Sequence, residues 1–339
     1  MNNIESLHTH TTLSDGKLSH REMFDLAESL GVSVIAFTDH DAVPSPAIMA
    51  ELETMRGRTT KWIVGIEVTA GLPKELAPQE GAMHIIGLFV DPANKALIEH
   101  CVKAQKARVK RMNEIVGKLQ KLGFKISADD CLEMSGGESV GRPHIIQALH
   151  KYPENNIVME KIRLEMADEA SRDSVIQKHY SHMMHKGERQ YPFTLFLAPN
   201  AFRDGYAESE YLPDLDEAVK VIRDAGGVAM LAHYFSIRSR MPFEVLEPIL
   251  AEKRLDGMET VYGLREYGTD NEANIEKERA TVRELVKKYG LISGGGSDAH
   301  TKEDLEYYVA NDHFSNESIG LTEGILATGR VDKKFSSLG

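Results

Sequence analysis

Val32-Ser33-Val34-Ile35-Ala36-Phe37-Thr38-Asp39-His40-Asp41 decides what kind of chain this is. Its first six residues are nearly continuous in apolar side chains. Such a run suits a strand buried on both faces, the habit of parallel sheets covered by helices. The run then stops on a histidine between two aspartates. Chemistry-bearing residues at the C-terminal end of a buried parallel strand mark the active face of α/β architectures.

The alternation of strand and helix extends to both sides. Upstream, Ile4 to His8 reads as a short strand. Ser19-His20-Arg21-Glu22 is a capping box that opens a helix through Leu30, and Gly31 ends it. Downstream, Pro44 and Pro46 open a helix to about Arg56, and Trp62 to Val68 and Met83 to Val90 are strands. About Ala93 to Leu122 is one long basic helical segment, stopped by Gly123. Ser127 caps a short helix, Gly136-Gly137 makes a loop, and Gly141-Arg142-Pro143-His144 opens a helix with proline in its first turn. Residues 151–213 read as polar helices and loop without a strand. Alternation resumes with a helix from Leu215 to Ala225, a strand from Val228 to Ala232 and a helix from Pro242 to Ala251. A strand from Gly257 to Val261, a helix from Asn271 to Tyr289 and a strand from Leu291 to Gly294 complete it. The tail beyond residue 300 reads as polar with one helix. The expectation is α/β, with seven parallel strands closing as a barrel over 1–96 and 214–339. A mostly helical insertion occupies 97–213.

The 339 residues and 42% apolar content allow one large domain with an insertion and a sizeable core. No apolar run approaches the roughly 18 residues of a spanning helix, so no membrane partner is expected. The start lacks the features of a signal peptide, and two cysteines make no disulfide framework. Both readings favour the cytoplasm. A net charge of −12 offers no broad basic face for a stable duplex nucleic-acid partner.

The candidate ligands are His8, His10, Asp15, His40, Glu67, His84, His233, Asp298 and His300. His8 and His10, two apart, point the same way from a strand, and the turn through Ser14-Asp15-Gly16 returns a carboxylate toward them. Nearly all nine lie at or just beyond the C-terminal end of a strand. His84 is the exception, lying early in its strand. Nine ligands exceed the demand of one tetrahedral ion. Two or three divalent ions sharing a bridging carboxylate fit better, with Glu67 as the bridge. Mixed imidazole and carboxylate ligation suits manganese, iron or zinc. By contrast, His179, His182 and His185 read as a solvated helix face. Gly294-Gly295-Gly296 lacks the Lys-Ser/Thr of a P-loop and reads as letting the backbone approach the metals.

Taken together, the His-x-His opening, Thr38-Asp39-His40-Asp41, Gly65-Ile66-Glu67, His84, Leu231-Ala232-His233 and Gly296-Ser297-Asp298-Ala299-His300 resemble the PHP (polymerase and histidinol phosphatase) domain. The resemblance implies a distorted (β/α)7 barrel and a trinuclear site. One ion would take His8, His10, Glu67 and Asp298; a second would share Glu67 with His84 and His233; a third would take Asp15, His40 and His300. Gly141-Arg142-Pro143-His144 resembles the stand-alone PHP phosphoesterases, which act on nucleoside 3′,5′-bisphosphates and short RNA 5′ ends through a helical cap over the metals. Arg142 would clamp phosphate, since a guanidinium binds two phosphate oxygens at once. His144 would sit near a helix N-terminus beside the anion and is a candidate leaving-group acid. Arg238 and Arg240 are candidates for a second phosphate. Two features depart from that group: Tyr234 stands where the family often has proline, and the segment 151–213 is long for a cap.

The function these residues imply is hydrolysis of a phosphate ester by metal-activated hydroxide, with Asp15 and Glu67 essential to holding the ions. The expected partner is a small phosphorylated substrate, a nucleotide or short oligonucleotide. Competing readings are a histidinol-phosphate phosphatase, a metal-dependent amidohydrolase and a non-catalytic metal-stabilised module. An amidohydrolase would normally show a lysine at a strand end, and none is offered. All nine ligand positions are filled, which argues against the inert module.

Overall fold

Residues 3–73, 81–136, 139–262 and 272–339 are described by the computed structural model, with 272–275 and 312–313 described by backbone alone. Gly137 and Asn271, read above as loop and helix start, lie outside these residues. The chain divides into two compact units, Met1–Ala104 with Leu212–Gly339, and Gln105–Tyr211.

The first unit is built on seven strands: β1 (Ile4–Ser6), β2 (Val32–Phe37), β3 (Lys61–Gly71), β4 (Ala82–Leu88), β5 (Val228–Leu231), β6 (Gly257–Tyr262) and β7 (Ile292–Gly296). They form one sheet in chain order. Helices α1 (His20–Ser29), α2 (Pro46–Thr54) and α3 (Lys95–Lys121) come before the second unit, and the division between units falls inside α3. The second unit carries α4 (Ala128–Ser135), α5 (Arg142–His150), α6 (Asn155–Ala170) and α7 (Ser174–Lys186). The first unit then continues with α8 (Leu215–Asp224), α9 (Phe243–Ala251), α10 (Glu272–Tyr289), α11 (Lys302–Ala310), α12 (Asp312–Glu317) and α13 (Leu321–Ala327).

The sheet is not wholly parallel, which corrects the sequence expectation. β1–β2, β2–β3, β5–β6 and β6–β7 pair parallel, whereas β4 runs antiparallel to both β3 and β5. The physical reason is the short link from Gly71 to Ala82, which is too brief for the dozen or more residues of a parallel crossover. Beyond the last strand, Leu7 N–H donates to Gly295 O at 3.0 Å, and Asp298 N–H donates to His8 O at 3.0 Å. β7 therefore returns beside the chain leaving β1. A Cβ on Gly296 would stand 2.4 Å from His8 N. The glycine run thus allows close strand approach, Gly296 to the backbone of His8, Gly295 to Val261 and Gly294 to Met230.

β2 has the double burial its composition implied. Ile35 and Phe37 join an apolar layer with Phe24, Leu52 and Trp62, while Val34 and Ala36 join another with Ile63, Ile86 and Met230. Leu321 and Ile325 of α13 belong to this second layer. The tail therefore holds three helices, not one. Its apolar positions are too sparse to establish a period by inspection. Ser19 and Glu22 form the expected capping box on α1. Among the described residues no helix is long and apolar enough to cross a membrane.

The second unit packs Met112, Leu119, Phe124, Ile145, Leu149 and Phe196 into its own apolar cluster. A buried carboxylate ties its helices together. Asp130 accepts from Lys151 Nζ at 2.7 Å and from Ser127 Oγ at 2.6 Å. These bonds, the lysine's first, pull its pKa down to about 2. A depressed carboxylate contributes stability above its unfolded pKa and loses it as pH falls through the folded one. Asp130→Ala should therefore cost about 1–2 kcal/mol at pH 7, after allowance for water around Lys151. Urea denaturation should show the gap from wild type closing as pH drops from about 4 toward about 2. A gap unchanged across that window would contradict the assignment.

Candidate metal centre

The loop after β1 is held by its neighbour. Asp39, at the end of β2, accepts from Thr11 N at 2.8 Å and Ser14 Oγ at 2.6 Å through one oxygen, and from Thr11 Oγ1 at 2.8 Å through the other. That fixes the turn between His10 and Asp15. Asp41 accepts from Thr69 N at 2.9 Å and lies 3.2 Å from His100 Nε2. The two aspartates flanking His40 thus brace the rim. Backbone pairing also continues past β2, where His40 bridges to Glu67 in parallel register.

The nine predicted ligands come together in the first unit. Glu67 is central. Its Oε1 lies 2.9 Å from His84 Nδ1 and 3.1 Å from His233 Nε2, and its Oε2 lies 2.8 Å from His40 Nδ1, 3.2 Å from His10 Nε2 and 3.5 Å from His8 Nε2. Asp298 Oδ1 lies 3.1 Å from His10 Nε2 and 3.3 Å from His8 Nε2. Asp15 Oδ1 lies 3.3 Å from His300 Nε2. Three sets could each hold an ion: His8, His10 and Glu67; His40, Glu67 and His84; and His10, Asp15, His40 and His300. His40 and His10 each enter two sets, so the grouping is less separated than the resemblance implied. His84 reaches the others because β4 is antiparallel. The start of β4 meets the rim that the other strands reach with their ends, and Ala232 N–H donates to His84 O at 3.0 Å.

The cluster is built for cations. Asp15 Oδ1, His40 Nδ1 and Glu67 Oε2 are buried without a hydrogen-bond partner, a state most buried polar atoms avoid. Burial opposes charge on Glu67, yet His40, His84 and His8 hold its pKa well below the ordinary glutamate value. Burial also opposes charge on His8, but Glu259, Asp298 and Glu67 hold it well above the usual histidine value. Against the same burial, Glu67 brings His233 up to about 9. At His84 burial wins and the pKa falls. The mixed imidazole and carboxylate donor set fits the metals expected from the sequence. Nearby backbone is strained: Asp41, His233 and Asp298 have φ of 47°, 23° and 50°, conformations that non-glycine residues adopt mainly at functional sites.

Residues 6–218 match the PHP domain model. The chain belongs to the PHP domain family. A phosphoribosyl 1,2-cyclic phosphate 1,2-diphosphodiesterase from Eggerthella lenta is 26% identical over 88% of this chain and 95% of its own length. A 5′-3′ exoribonuclease from Haemophilus influenzae is 27% identical over 87% and 89%. A 3′,5′-nucleoside bisphosphate phosphatase from Chromobacterium violaceum is 24% identical over 88% and 88%. Among solved structures, a protein assigned as a metal-dependent phosphoesterase from Bifidobacterium adolescentis superposes with a TM-score of 0.63, at 23% identity over 88% of each chain. That likeness shows the shared α/β PHP fold.

The remaining predicted residues fall elsewhere. Arg238 donates to Glu278 at 2.8 Å, and Arg240 donates to Ala82 O at 3.4 Å and Ser236 O at 3.3 Å. In the second unit, His144 is buried and its Nδ1 accepts from Gly141 N at 2.9 Å, capping the first turn of α5. Half-buried Arg142 donates to Leu197 O at 3.3 Å and stacks over Phe193 and Tyr206. Burial, with Arg111 and Arg108 nearby, brings its pKa down to about 10. Sequence reading missed Arg111, whose guanidinium lies over Tyr206 at 4.9 Å. It also missed Glu259, buried in β6 against His8. An acidic residue inside an apolar strand run was the signal.

Metal binding should be visible as stability. Protein stripped with a chelator and then given manganese or zinc at about 100 times the dissociation constant should gain roughly 2.7 kcal/mol. The gain should be larger at pH 8 than at pH 6, because the imidazoles must shed protons to bind. A calorimetric melting temperature indifferent to both ions would refute a metal centre here.

Proposed function

We propose that this PHP protein is a metal-dependent phosphoric ester hydrolase whose substrate is a small nucleotide, a nucleoside 3′,5′-bisphosphate or the 5′ end of a short RNA. The observation that carries the reading is Glu67. One carboxylate faces His84 and His233 with one oxygen and His8, His10 and His40 with the other, the arrangement a bridge between two ions requires. His8, His10, Asp15, His40, Glu67, His84, His233, Asp298 and His300 would hold two or three ions of manganese, iron or zinc. When bound, such ions supply Lewis acidity toward the phosphoryl oxygens and a water-derived nucleophile near neutral pH.

The chain's own residues divide the remaining work. His8, His10 and Glu67 are wholly buried, whereas the side chains of His84 and His300 are 29% and 28% exposed. The substrate therefore enters on the His84 and His300 side. Phosphoryl transfer asks mainly for positioning and neutralisation of oxygen charge, and no serine or cysteine nucleophile is needed. Arg142 and Arg111 make no ion pair with a carboxylate among the described residues. Glu208 offsets part of their charge, and two half-buried guanidiniums side by side still favour an anionic ligand such as a phosphate. His144 caps the helix that carries Arg142, a more direct role than leaving-group acid. Arg238 is already neutralised by Glu278 and is a weaker candidate for phosphate.

The relatives' names span cyclic ribose phosphates, RNA ends and nucleoside bisphosphates. The choice among them rests on assay. Phosphate release should be measured from adenosine 3′,5′-bisphosphate, short 5′-phosphorylated RNA and DNA, and histidinol phosphate, with manganese, iron or zinc added. Release confined to histidinol phosphate would overturn the nucleotide reading. Asp15→Ala and Glu67→Ala should each lose bound metal and activity together while retaining the far-UV spectrum. Arg142→Ala should keep its metal and raise KM for the bisphosphate about 10–100-fold, the scale of a lost charge-assisted bond.

A further inference from the structure

Glu259 lies where β6 breaks step with β7. The register shifts between Glu259 and Val261, and such irregularities re-aim a side chain. All of β6 is buried, and Glu259 is 2% exposed. A carboxylate at that depth is costly unless its oxygens are satisfied. Both are: Oε1 lies 2.9 Å from His8 Nδ1, and Oε2 accepts from the His233 backbone N–H at 2.7 Å.

The chemistry of this pair is specific. Facing a carboxylate oxygen, Nδ1 is the donor, so when His8 serves as a metal ligand its one ring hydrogen belongs there. Nε2 then presents its lone pair inward, where it lies 3.3 Å from Asp298 Oδ1 and 3.5 Å from Glu67 Oε2. At His233 the same carboxylate holds the backbone of a residue at φ 23°, a conformation that persists only when its surroundings enforce it. One side chain on β6 thus governs two residues from β1 and the end of β5. It makes no bond to Asp15, His40 or His300.

We propose that Glu259 is a positioning residue of the metal centre. It fixes the tautomer of His8 and the backbone of His233, and so tunes binding at the His8 and His233 side without touching the Asp15 end. The proposal rests on the metal-centre reading above. Glutamine at this position keeps the size but not the function. Its single oxygen can satisfy only one of the two donors, and its NH2 must face the other.

The test uses the full chain, stripped of metal and titrated with zinc. Ions bound per chain are measured by equilibrium dialysis, and the His8 ring is read by long-range 1H–15N spectra of the zinc-loaded protein. Glu259→Gln should weaken one class of zinc site by roughly 10–100-fold, the usual effect of removing such an outer partner, and leave the other class unchanged. His8 should lose its single Nδ1–H signature. A wild-type isotherm together with a wild-type His8 spectrum would overturn the proposal. Should Glu259→Gln fail to fold, Glu259→Asp is read instead. Its shorter reach should weaken the same class, and an unchanged isotherm would again refute the role. Wild-type protein that binds no zinc, manganese or iron tightly would sink the metal-centre reading itself, an outcome distinct from the other two.

Discussion

A fully buried glutamate facing five imidazoles is the constraint on which the first unit turns. Glu67 sits in β3 with no exposed surface, and an ionised carboxylate there must be compensated or protonated. Compensation comes from His8, His10, His40, His84 and His233, which arrive from four other segments of chain. None of those segments can shift independently. The rim is therefore as specified as the core, and the strained residues His233 and Asp298 are held by the rest of the cluster.

Sheet topology is what makes this convergence possible. Parallel strands deliver their C-terminal ends to one side, so His40, His233 and the Asp298–His300 segment gather there without special arrangement. β4 is the strand that runs the other way, and it contributes from its beginning. The short link after β3 forces that reversal, and the reversal places His84 opposite Thr69 and beside Ala232. A feature that breaks the regularity of the fold is thus the one that completes the ring around Glu67.

Most of this was legible in the sequence because ligands and buried strands leave strong local marks. β2 was read from its apolar run, and its alternate residues do enter two separate apolar layers. Most of the nine ligand candidates were legible as polar endings of apolar runs, His84 being the exception near the start of its strand. What was not legible depends on partners distant in sequence. Strand direction at β4 has no local signature, since a short apolar run pairs either way. Asp39 looked like a flank of His40, and only the folded chain reveals its three bonds to Thr11 and Ser14. Glu259 lies 251 positions from His8, and nothing nearby in the sequence announces that pairing. The tail helices escaped because their few apolar residues pack against strands distant in sequence, Leu321 and Ile325 in the layer of Val34 and Ala36, and Tyr308 and Phe314 together against Ile4 and Val261.

Electrostatics explains why recognition and cation binding must be linked in this protein. The chain carries a net charge of −12, and an anionic substrate gains nothing from its long-range field. At the rim, Glu67 and Asp15 are held ionised even in burial. Without cations, those carboxylates are offset by imidazolium protons at His8, His233 and His300, whose pKa values they raise. Dications reverse the local sign and keep it reversed at neutral pH. A phosphate ester is matched to a rim so charged, whereas a neutral amide is not. That is the physical ground for preferring phosphate ester hydrolysis over amide hydrolysis on this fold.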